Sequence, residues 1–383
     1  MSIYTRLIRP LLFQLQPETA HRVALRALSA AGHVPLGMRG LAACLDWADA
    51  RLETEVLGLR FHNPLGLAAG YDKDGVAIRE LAALGFGHVE VGTVSPLVQP
   101  GNAAPRVFRL PQEEAVINRM GFPNLGGDAM LPCLVRARQR PLRTVLGVSI
   151  GKGRATPLEA AAQDYCHLVR LLGRHASYLA VNVSSPNTAN LRRLQAREML
   201  GALLREIMPC RDAHCPGVPV LVKIAPDLTY AEIDDVLAAV ETSRVDGIVA
   251  TNTGLGRSGP SCGHPLAAEY GGLSGIPLRQ RSTEVIRYIY RQTGGAVPII
   301  GVGGVDSAES ALEKLQAGAS LVQVYTGLIY QGPALVRVIN QGLVRRMEEM
   351  GVRRVAELVG TEGQAAPARR RTPVGSRIPQ VTG

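Results

Sequence analysis

Aromatic residues, cysteine and lysine are all scarce in this sequence. Aromatic side chains make up 4% of the 383 residues, with a single Trp, which argues against a nucleic-acid platform of stacked rings. The six cysteines include no CxxC pair, and the eight histidines form no cluster. We therefore expect neither a disulfide framework nor a metal site, and we expect a reducing, cytoplasmic environment.

Long apolar runs are also missing. No run reaches the roughly 18 residues that a membrane-spanning helix needs, and the N-terminus lacks the pattern of a secretory signal. We therefore expect a protein that is soluble or bound peripherally. Hydrophobic residues make up 46% of the chain, which allows a large core and excludes disorder of the whole chain. The net charge of +10 permits attraction to nucleic acid, anionic lipid or acidic metabolites without choosing among them.

The cationic residues comprise 38 Arg and only 4 Lys. Lysine is a flexible point charge whose pKa responds readily to burial, whereas arginine stays charged. A chain that otherwise uses Arg is therefore expected to keep Lys where chemistry requires it. Lys73 and Lys223 lie at the ends of predicted strands, and we interpret both as functional. The pattern leaves the role of Lys152 open, and it predicts that Lys314, within a helix, is a surface residue.

Eight short apolar runs, separated by helical stretches, predict a parallel sheet covered by helices. Eight such units are typical of a closed (β/α)8 barrel, although counting strands cannot exclude an open, doubly wound sheet. The runs are Leu65–Ala69, His88–Thr93, Thr144–Ile150, Tyr178–Val183, Pro219–Ile224, Gly247–Thr251, Pro298–Val302 and Leu321–Tyr325.

The rest of the chain predicts three further segments around a barrel at 51–345. Residues 1–50 form an extension in which two short helices carry an apolar stripe, and this stripe suits either a face docked on the barrel or a membrane-surface element. Residues 346–360 are expected to form a C-terminal helix. Residues 361–383, rich in Arg and Pro, are predicted to be a disordered tail, for which RNA binding is a less favoured reading than simple solvation.

Unusual residues collect at the carboxyl ends of the predicted strands, where barrels carry their chemistry. Gly301, Gly303, Gly304 and Thr326 follow the last two strands and predict a phosphate cradle made of backbone N–H groups. Lys223 suits either a Schiff base or an electrostatic partner of an electron-rich ring. Four amides favour recognition of a planar, imide-like molecule; they are Asn118, Asn182, Asn187 and Asn252.

Ten motifs resemble the membrane-associated, quinone-reducing class of dihydroorotate dehydrogenases. They occur in order from about residue 3 to 360: NPLGLAAGYDKDG (63–75), VGTVSPLVQPGN (91–102), PRVFRL (105–110), INRMGF (117–122), NVSSPNT (182–188), VKIAPDL (222–228), ATNT (250–253), GGLSG (271–275), IIGVGG (299–304) and VQVYTG (322–327). The resemblance implies a (β/α)8 barrel with one FMN. It also implies oxidation of dihydroorotate to orotate in de novo pyrimidine biosynthesis, with a membrane quinone as final electron acceptor.

The resemblance also implies roles for individual residues. Ser185 would be the catalytic base that removes the C5 proton, and a serine needs a relay, begun by Thr188 or a buried water, to pass that proton on. The residues implied to hold the substrate are Lys73, Asn118, Arg119, Met120, Gly121, Phe122, Asn182, Asn187, Asn252 and Thr253. Those implied to hold the flavin are Ala68, Ala69, Gly70, Tyr71, Asp72, Thr93, Ser149, Asn182, Lys223, Thr251, Gly275, Gly304, Tyr325 and Thr326.

The third-strand motif departs from the family pattern. The family usually has Asn in the pattern GxNxGKN, whereas this chain reads GVSIGKG with Ser149 and Gly153. Ser149 has a shorter reach and one group fewer than Asn, so a water could complete its flavin contact. We expect FMN binding to be retained with that contact weakened.

The N-terminal extension gains a role from the resemblance. It would cap the barrel and form an apolar entrance for quinone at the cytoplasmic face of the cell membrane, with His21 and Arg109 near the quinone head. We accordingly expect a peripheral membrane protein that is a monomer and has no nucleic-acid partner. Three alternatives stay open. The first is a soluble enzyme that uses fumarate or NAD, and the second is a phosphate-binding lyase or isomerase with a Schiff base on Lys223. The third is a non-catalytic flavin- or RNA-binding protein.

Overall fold

The structure, a computed structural model, describes residues 2–34, 37–257 and 264–362. Nearly all of the tail predicted to be disordered, from residue 363 onward, lies outside the described residues. Within them, no helix combines the length and apolar character that crossing a bilayer would require.

Eight parallel strands close into a barrel, as the apolar runs predicted. They are β3 (Leu65–Leu67), β4 (His88–Val94), β7 (Val145–Ile150), β8 (Tyr178–Asn182), β9 (Val220–Ile224), β10 (Gly247–Ala250), β12 (Ile299–Val302) and β13 (Leu321–Val324). The strand order is β10-β12-β13-β3-β4-β7-β8-β9, and β9 pairs with β10 to close the ring. The prediction of a (β/α)8 barrel is confirmed, and the open sheet is excluded because both edges are paired.

Helices cover the outside of the barrel. They are α4 (Ile78–Ala82), α5 (Gly127–Arg138), α6 (Ala161–Leu172), α7 (Arg197–His214), α8 (Tyr230–Thr242), α9 (Arg279–Gln292), α10 (Ala308–Gln316), α11 (Thr326–Gln331) and α12 (Leu335–Met350). Because α12 is continuous, the boundary predicted at 345/346 falls inside a helix. Between the end of α12 and residue 362, where the described residues end, the chain forms a short 3-10 helix, Val355–Leu358.

The strands bury both faces, which is why their sequences read as continuous apolar runs. Along each strand, every second side chain points outward and packs against the helices, as Leu146 and Val148 do. The side chains between them fill the interior of the barrel. A hairpin of β1 (Thr54–Val56) and β2 (Leu59–Phe61) lies against that interior cluster, and Phe61 at its end is fully buried. The hairpin therefore plugs one end of the barrel and leaves the carboxyl end for a site.

A second small sheet, which the sequence did not predict, stands at the carboxyl end. It consists of β5 (Val107–Leu110), β6 (Ala115–Asn118) and β11 (Gly272–Gly275), antiparallel in the order β11-β6-β5. The three strands come from two separate insertions, and each has only four residues. Segments so short and so far apart carry too little local pattern to be paired from the sequence.

The N-terminal extension contains three helices where two were predicted. A π-helical turn, Tyr4–Ile8, runs into α1 (Arg9–Gln14), which is followed by α2 (Pro17–Gly32) and α3 (Gly37–Leu45). The third helix was missed because its sequence begins with glycine and contains another at Gly40, and glycine disfavours a helix interior.

Lys314 corrects the prediction of a surface lysine, because its side chain is 0% exposed. Its ammonium donates to the hydroxyls of Ser282 and Thr283 on the neighbouring helix α9. Buried lysine without an acidic partner has no signature in the local sequence, since the acceptors lie about thirty residues away along the chain.

Gly66 is a position where the barrel interior tolerates no side chain. A Cβ there would lie 2.1 Å from Nε2 of His88, whose ring is 0% exposed and packs against Phe61 and Tyr178. We expect Gly66→Ala to lower the free energy of unfolding by about 1–3 kcal/mol through overpacking, measured as a lower thermal midpoint. Gly40→Ala is the control, because nothing lies within 4 Å of a Cβ at that site. Equal midpoints for the two variants would contradict this account.

Candidate active site

One cavity of 580 Å³ opens at the carboxyl end of the barrel and extends between the N-terminal helices. Ligand sites for small molecules commonly have this size. The cavity has three connected parts: a polar pocket around Ser185, a glycine-lined region near Thr326, and an apolar arm bounded by residues of α1 and α2.

Most of the residues singled out from the sequence meet in this cavity. Those that line it are His21, Ala68, Ala69, Gly70, Tyr71, Lys73, Thr93, Arg109, Asn118, Met120, Gly121, Phe122, Asn182, Ser185, Asn187, Lys223, Thr251, Asn252, Thr253, Gly275, Gly304, Tyr325 and Thr326. Of the residues assigned to the substrate, the flavin or the quinone, Asp72, Arg119 and Ser149 do not line it, and each instead supports a residue that does. Gly301 of the predicted phosphate cradle and Thr188 of the predicted relay do not line it either, and a Cβ on Gly301 would meet Ala319 and Ile286.

Asp72 shapes the first loop from behind. Its buried carboxylate accepts the backbone N–H groups of Val76 (3.0 Å) and Ala77 (2.9 Å). Burial raises the pKa of Asp72, and the two N–H groups oppose that rise. The contacts fix the turn that carries Lys73 rather than placing a carboxylate in the cavity.

Arg119 points away from the cavity. Its guanidinium pairs with Glu269 and lies 4.6 Å from the centre of the Phe108 ring. The arginine thereby anchors the loop whose next residues, Met120 to Phe122, line the cavity. Gln99 secures the same loop, because its Nε2 donates to the carbonyls of Gly121 and Phe122.

Ser149 lies one layer behind Thr93. The two hydroxyl oxygens are 2.9 Å apart, and Thr93 Oγ1 also accepts from Nδ2 of Asn182 at 2.8 Å. The serine is 0% exposed. Ser149 itself does not line the cavity, and it acts on the cavity through its contact with Thr93, which does.

A network of amides surrounds Ser185. Nδ2 of Asn252 donates to Oγ of Ser184 (2.9 Å), whose hydroxyl in turn donates to Oδ1 of Asn182 (3.0 Å). Nδ2 of Asn187 donates to Oδ1 of Asn118 at 3.1 Å. The hydroxyl of Ser185 accepts the backbone N–H of Asn187 at 3.2 Å. The pocket thus presents donors and acceptors in fixed positions around one hydroxyl.

Two buried oxygens near this hydroxyl have no hydrogen-bond partner among the described residues. They are Oδ1 of Asn187 and Oγ1 of Thr188. Buried polar atoms are normally paired, so an unpaired pair beside a cavity indicates groups that a ligand or water would satisfy.

Lys73 is the cation of the polar pocket. Its ammonium donates to the carbonyl of Gly70 at 2.6 Å, and burial lowers its pKa from 10.5 to about 8. Asp74, Glu18 and Asp72 oppose that shift without contacting the ammonium. A lysine with no carboxylate in contact favours an anionic ligand.

The floor of the cavity is a buried polar cluster that sequence reasoning missed in part. Nζ of Lys223 lies 3.4 Å from Oε1 of Glu90, which is 0% exposed. The other carboxylate oxygen of Glu90 accepts from the Tyr178 hydroxyl and from Nε2 of Gln323, both at 3.0 Å. Lys223 and Gln323 line the cavity, and Oε1 of Gln323 has no partner in the described chain.

The glycine-lined region contains no charged side chain. Gly275, Gly303 and Gly304 all have positive φ angles, of 96°, 131° and 67°, and this conformation together with the close neighbours of each would disfavour a side chain. The hydroxyls of Thr326 and Ser274 lie 2.8 Å apart beside them. The region offers backbone and hydroxyl groups, as a phosphate cradle requires.

The apolar arm ends at His21 and Arg109. Burial lowers the pKa of His21 to about 4, so its ring is neutral at pH 7, and the ring meets that of Tyr71 edge-on at 5.0 Å. Arg109 donates to the carbonyls of Leu12 and Phe13, both at 3.2 Å, and lies over the Phe13 ring. Arg109 of β5 therefore fixes the C-terminal end of α1 against that strand.

Two residues without a predicted role hold the polar pocket together. Nδ2 of Asn102 donates to the carbonyls of Arg119 (2.8 Å) and Asn187 (3.2 Å). Arg192 donates to the carbonyls of Ser184 and Thr253 and pairs with Asp227 at 2.8 Å. Asn102 ends the motif at 91–102, so the sequence could have indicated its role in the pocket. Arg192 is one of 38 arginines, and nothing in the sequence distinguishes it.

The model of the dihydroorotate dehydrogenase family matches residues 51–347. The chain belongs to this family. It is 47% identical over 374 residues to the dihydroorotate dehydrogenase (quinone) of Nostoc punctiforme, covering 94% of this chain and 99% of that one. It is 50% identical over 334 residues to the protein of the same name from Chromobacterium violaceum, covering 86% and 94%.

A solved structure agrees with family membership. The crystal structure of the Eimeria tenella enzyme in complex with ferulenol superposes with a TM-score of 0.84 at 34% identity, covering 93% of this chain and 99% of that chain. The sequence-based prediction of the family is confirmed. The roles of individual site residues stay predictions.

Glu90 is expected to carry most of the charge compensation for Lys223. Glu90→Gln keeps the shape but leaves a buried ammonium without its counter-charge, so we expect a loss of about 3–5 kcal/mol in the free energy of unfolding. Glu53→Gln, which removes the exposed partner of Arg60, should change stability little. Combining Glu90→Gln with Lys223→Met should recover part of the loss in thermal unfolding, and a further loss in the double variant would contradict the pairing.

Proposed function

We propose that this chain oxidises dihydroorotate to orotate on a bound FMN, in pyrimidine biosynthesis, and that a membrane quinone then accepts the electrons. The observation that carries the proposal is the single cavity that joins three chemically different parts. The polar pocket suits the substrate, the glycine-lined region suits a phosphate, and the apolar arm suits a quinone. Family membership supports the oxidation, and the names of the relatives support the quinone.

The residues of the cavity fit FMN. Gly275, Gly304 and Thr326 would hold its phosphate, which backbone N–H groups and a hydroxyl can bind without a side chain in the way. The unpaired Oε1 of Gln323 would meet a donor of the ring, and the ammonium of Lys223 would face its electron-rich edge. The residues expected to border the ring are Ala68, Ala69, Gly70, Thr93, Asn182, Lys223, Thr251 and Tyr325.

FMN, when bound, supplies the hydride acceptor for C6 of the substrate. Lys73 would offset the substrate carboxylate, and Asn118, Asn182, Asn187 and Asn252 would bind the imide edge through paired donors and acceptors. These contacts would orient the substrate so that its C5 proton faces Ser185.

Ser185 would take the C5 proton. A serine hydroxyl is a weak base, so it must be positioned and must pass its own proton on. The backbone N–H of Asn187, which donates to Oγ of Ser185, would stabilise negative charge as it develops there. The sequence left Thr188 and a buried water as alternatives for the first relay. The buried hydroxyl of Thr188, which has no partner among the described residues, supports Thr188.

The apolar arm would admit the quinone. Neutral His21 can donate to or accept from a quinone oxygen without adding charge, and Arg109 is bound to the backbone of α1 rather than free in the arm. The carbonyl contacts of Arg109 therefore favour a structural role at the arm's end, next to the position predicted for the quinone head.

The surface around the arm favours peripheral membrane binding. Three apolar side chains are exposed here: Ile3 just before the π-helical turn (74%), Leu7 within it (64%) and Leu11 in α1 (66%). Arginines 6, 22, 26 and 39 are exposed in the same extension, where they would meet anionic lipid headgroups. We propose attachment at the cytoplasmic face, by a monomer.

The proposed function is tested by flavin absorbance of the purified chain. The protein should be yellow, bleach with dihydroorotate under anaerobic conditions, and recover with a quinone but not with fumarate or NAD. Recovery with fumarate or NAD would favour the soluble alternative. A colourless protein whose Lys223 is trapped by borohydride would favour the Schiff-base alternative, and failure to bleach would refute the proposal.

Ser185→Ala should slow flavin bleaching by roughly 10²–10⁴-fold, the usual contribution of a positioned base, while the bound flavin content stays unchanged. Stopped-flow absorbance measures the rate. Ser184→Ala is the matched control. Its hydroxyl holds Asn182 and Asn252, so its removal should weaken substrate binding more than it slows bleaching. Similar bleaching rates in Ser185→Ala and the unmodified protein would remove Ser185 as the base.

Leu7→Ser combined with Leu11→Ser should reduce binding to anionic lipid vesicles, because the two side chains supply apolar area at the proposed contact. Flotation with vesicles measures the bound fraction. Val338→Ser removes a side chain that is 57% exposed on α12, away from the extension, and should leave binding unchanged. Equal losses in both variants would contradict the assigned membrane face.

A further inference from the structure

Lys314 is a buried cation with no acidic partner in contact. Its ammonium donates to Oγ1 of Thr283 (3.1 Å), to Oγ of Ser282 (3.2 Å) and to the carbonyl of Arg279 (3.4 Å). Within the described part of the chain, no carboxylate oxygen lies within 4.0 Å of it. Glu313 is adjacent in sequence, but its carboxylate pairs with Arg279 at 2.6 Å. Burying an unpaired ammonium costs several kcal/mol, so its retention calls for a physical reason.

The three acceptors of Lys314 form the first turn of α9, and that turn packs on the glycine-lined region. A Cβ on Gly303 would lie 2.8 Å from Cβ of Ser282, and a Cβ on Gly304 would lie 2.8 Å from Cα of Arg279. Ser282 also donates its hydroxyl to the carbonyl of Val302, at the end of β12. Lys314 therefore ties α10 to the turn that backs the glycines.

Among the described residues that line the cavity, no cation lies beside the glycine-lined region. The basic side chains that line it are His21, Lys73, Arg109 and Lys223, and His21 is neutral. These residues belong to the apolar arm, the polar pocket and the floor. A bound phosphate would carry close to two negative charges at neutral pH, so the positive charge that offsets it must come from backbone dipoles and from a residue behind the lining.

We propose that Lys314 is a positioning residue for the phosphate of FMN, holding the first turn of α9 against Gly303 and Gly304 and supplying positive charge from behind the cradle. The proposal rests on the proposed function, because it assumes that the cradle binds this phosphate. Lys314 does not touch the cavity, and it acts through the turn and through its charge.

The charge of Lys314 couples flavin binding to pH. Burial lowers its pKa from 10.5 to about 7, with Glu313 raising and Arg279 lowering it to smaller extents. A phosphate nearby favours the protonated form, and by linkage protonation favours phosphate binding. The stabilisation is present when Lys314 is charged and is lost as pH rises above its pKa in the complex. Between pH 7 and 9 the phosphate keeps its charge. The charged groups that act on Lys314 are Glu313 and Arg279.

The experiment compares dissociation constants of FMN and riboflavin for the full chain, depleted of flavin and titrated by flavin fluorescence at pH 7 and 9. Riboflavin lacks the phosphate. In the unmodified protein, FMN affinity should fall from pH 7 to 9 and riboflavin affinity should not. Lys314→Met should weaken FMN binding at pH 7 by about tenfold, which corresponds to one pKa unit of coupling, leave riboflavin binding unchanged and remove the pH dependence.

Two further variants keep the test decisive. Lys152→Met is the matched control. Lys152 is 3% exposed and donates to the carbonyls of Gly153 and Thr156, away from the cradle. The variant should therefore change the affinities for FMN and riboflavin equally or not at all. Thr283→Val removes one acceptor of Lys314 and should shift FMN binding in the same direction as Lys314→Met, by a smaller factor, even if Lys314→Met fails to fold.

The proposal is overturned if Lys314→Met binds FMN with unmodified affinity and pH dependence. It is also overturned if that variant loses FMN and riboflavin equally, because a purely structural lysine would give that result. Failure of the proposed function is distinguishable, since the unmodified protein would then bind neither flavin.

Discussion

The buried ion pair between Glu90 and Lys223 marks the level at which the barrel changes from packed core to working cavity. Below it, interior side chains such as Leu221, Val249 and Ile300 fill the barrel against the hairpin. Above it, the lining is made of amides, hydroxyls and glycines. A carboxylate that is 0% exposed can persist there only because Lys223, Tyr178 and Gln323 all bind it. The pair thus allows a cation to face the cavity while the core beneath stays apolar.

Lys73 and Lys314 differ from Lys223 in their contacts, and the difference decides how each lysine responds to a ligand. Lys223 has a carboxylate partner, so its charge is set by the protein. Among the described residues, Lys73 donates only to the carbonyl of Gly70, and Lys314 donates to two hydroxyls and a carbonyl. Neutral acceptors orient an ammonium without cancelling its charge, so both lysines are electrostatically incomplete until an anion arrives. Two of the four lysines in this arginine-rich chain, Lys73 and Lys314, are therefore sites where a bound anion would complete the charge.

The sequence predicted the barrel because strands buried on both faces leave continuous apolar runs, and it predicted most cavity residues because parallel strands bring their carboxyl ends together. What it could not supply depends on contacts between distant segments. Glu90 stands inside an apolar strand with nothing nearby in sequence to show its partners. Ser149 was assigned to the flavin by its motif, yet a hydroxyl-to-hydroxyl contact places it behind Thr93. Lys314 fitted an exposed helix position until its acceptors on α9 were known.

A series of direct contacts connects the N-terminal extension to the polar pocket around Ser185. Arg106 pairs with Glu18 of α2 through two hydrogen bonds, at 2.7 and 3.0 Å, and donates to the carbonyl of Asn102 at 2.8 Å. Asn102 in turn holds the backbone of Asn187 and Arg119. The Arg106 contact lowers the pKa of Glu18, which keeps that carboxylate charged. These contacts therefore connect α2, whose residues border the apolar arm, to Asn102 and to the amides around Ser185.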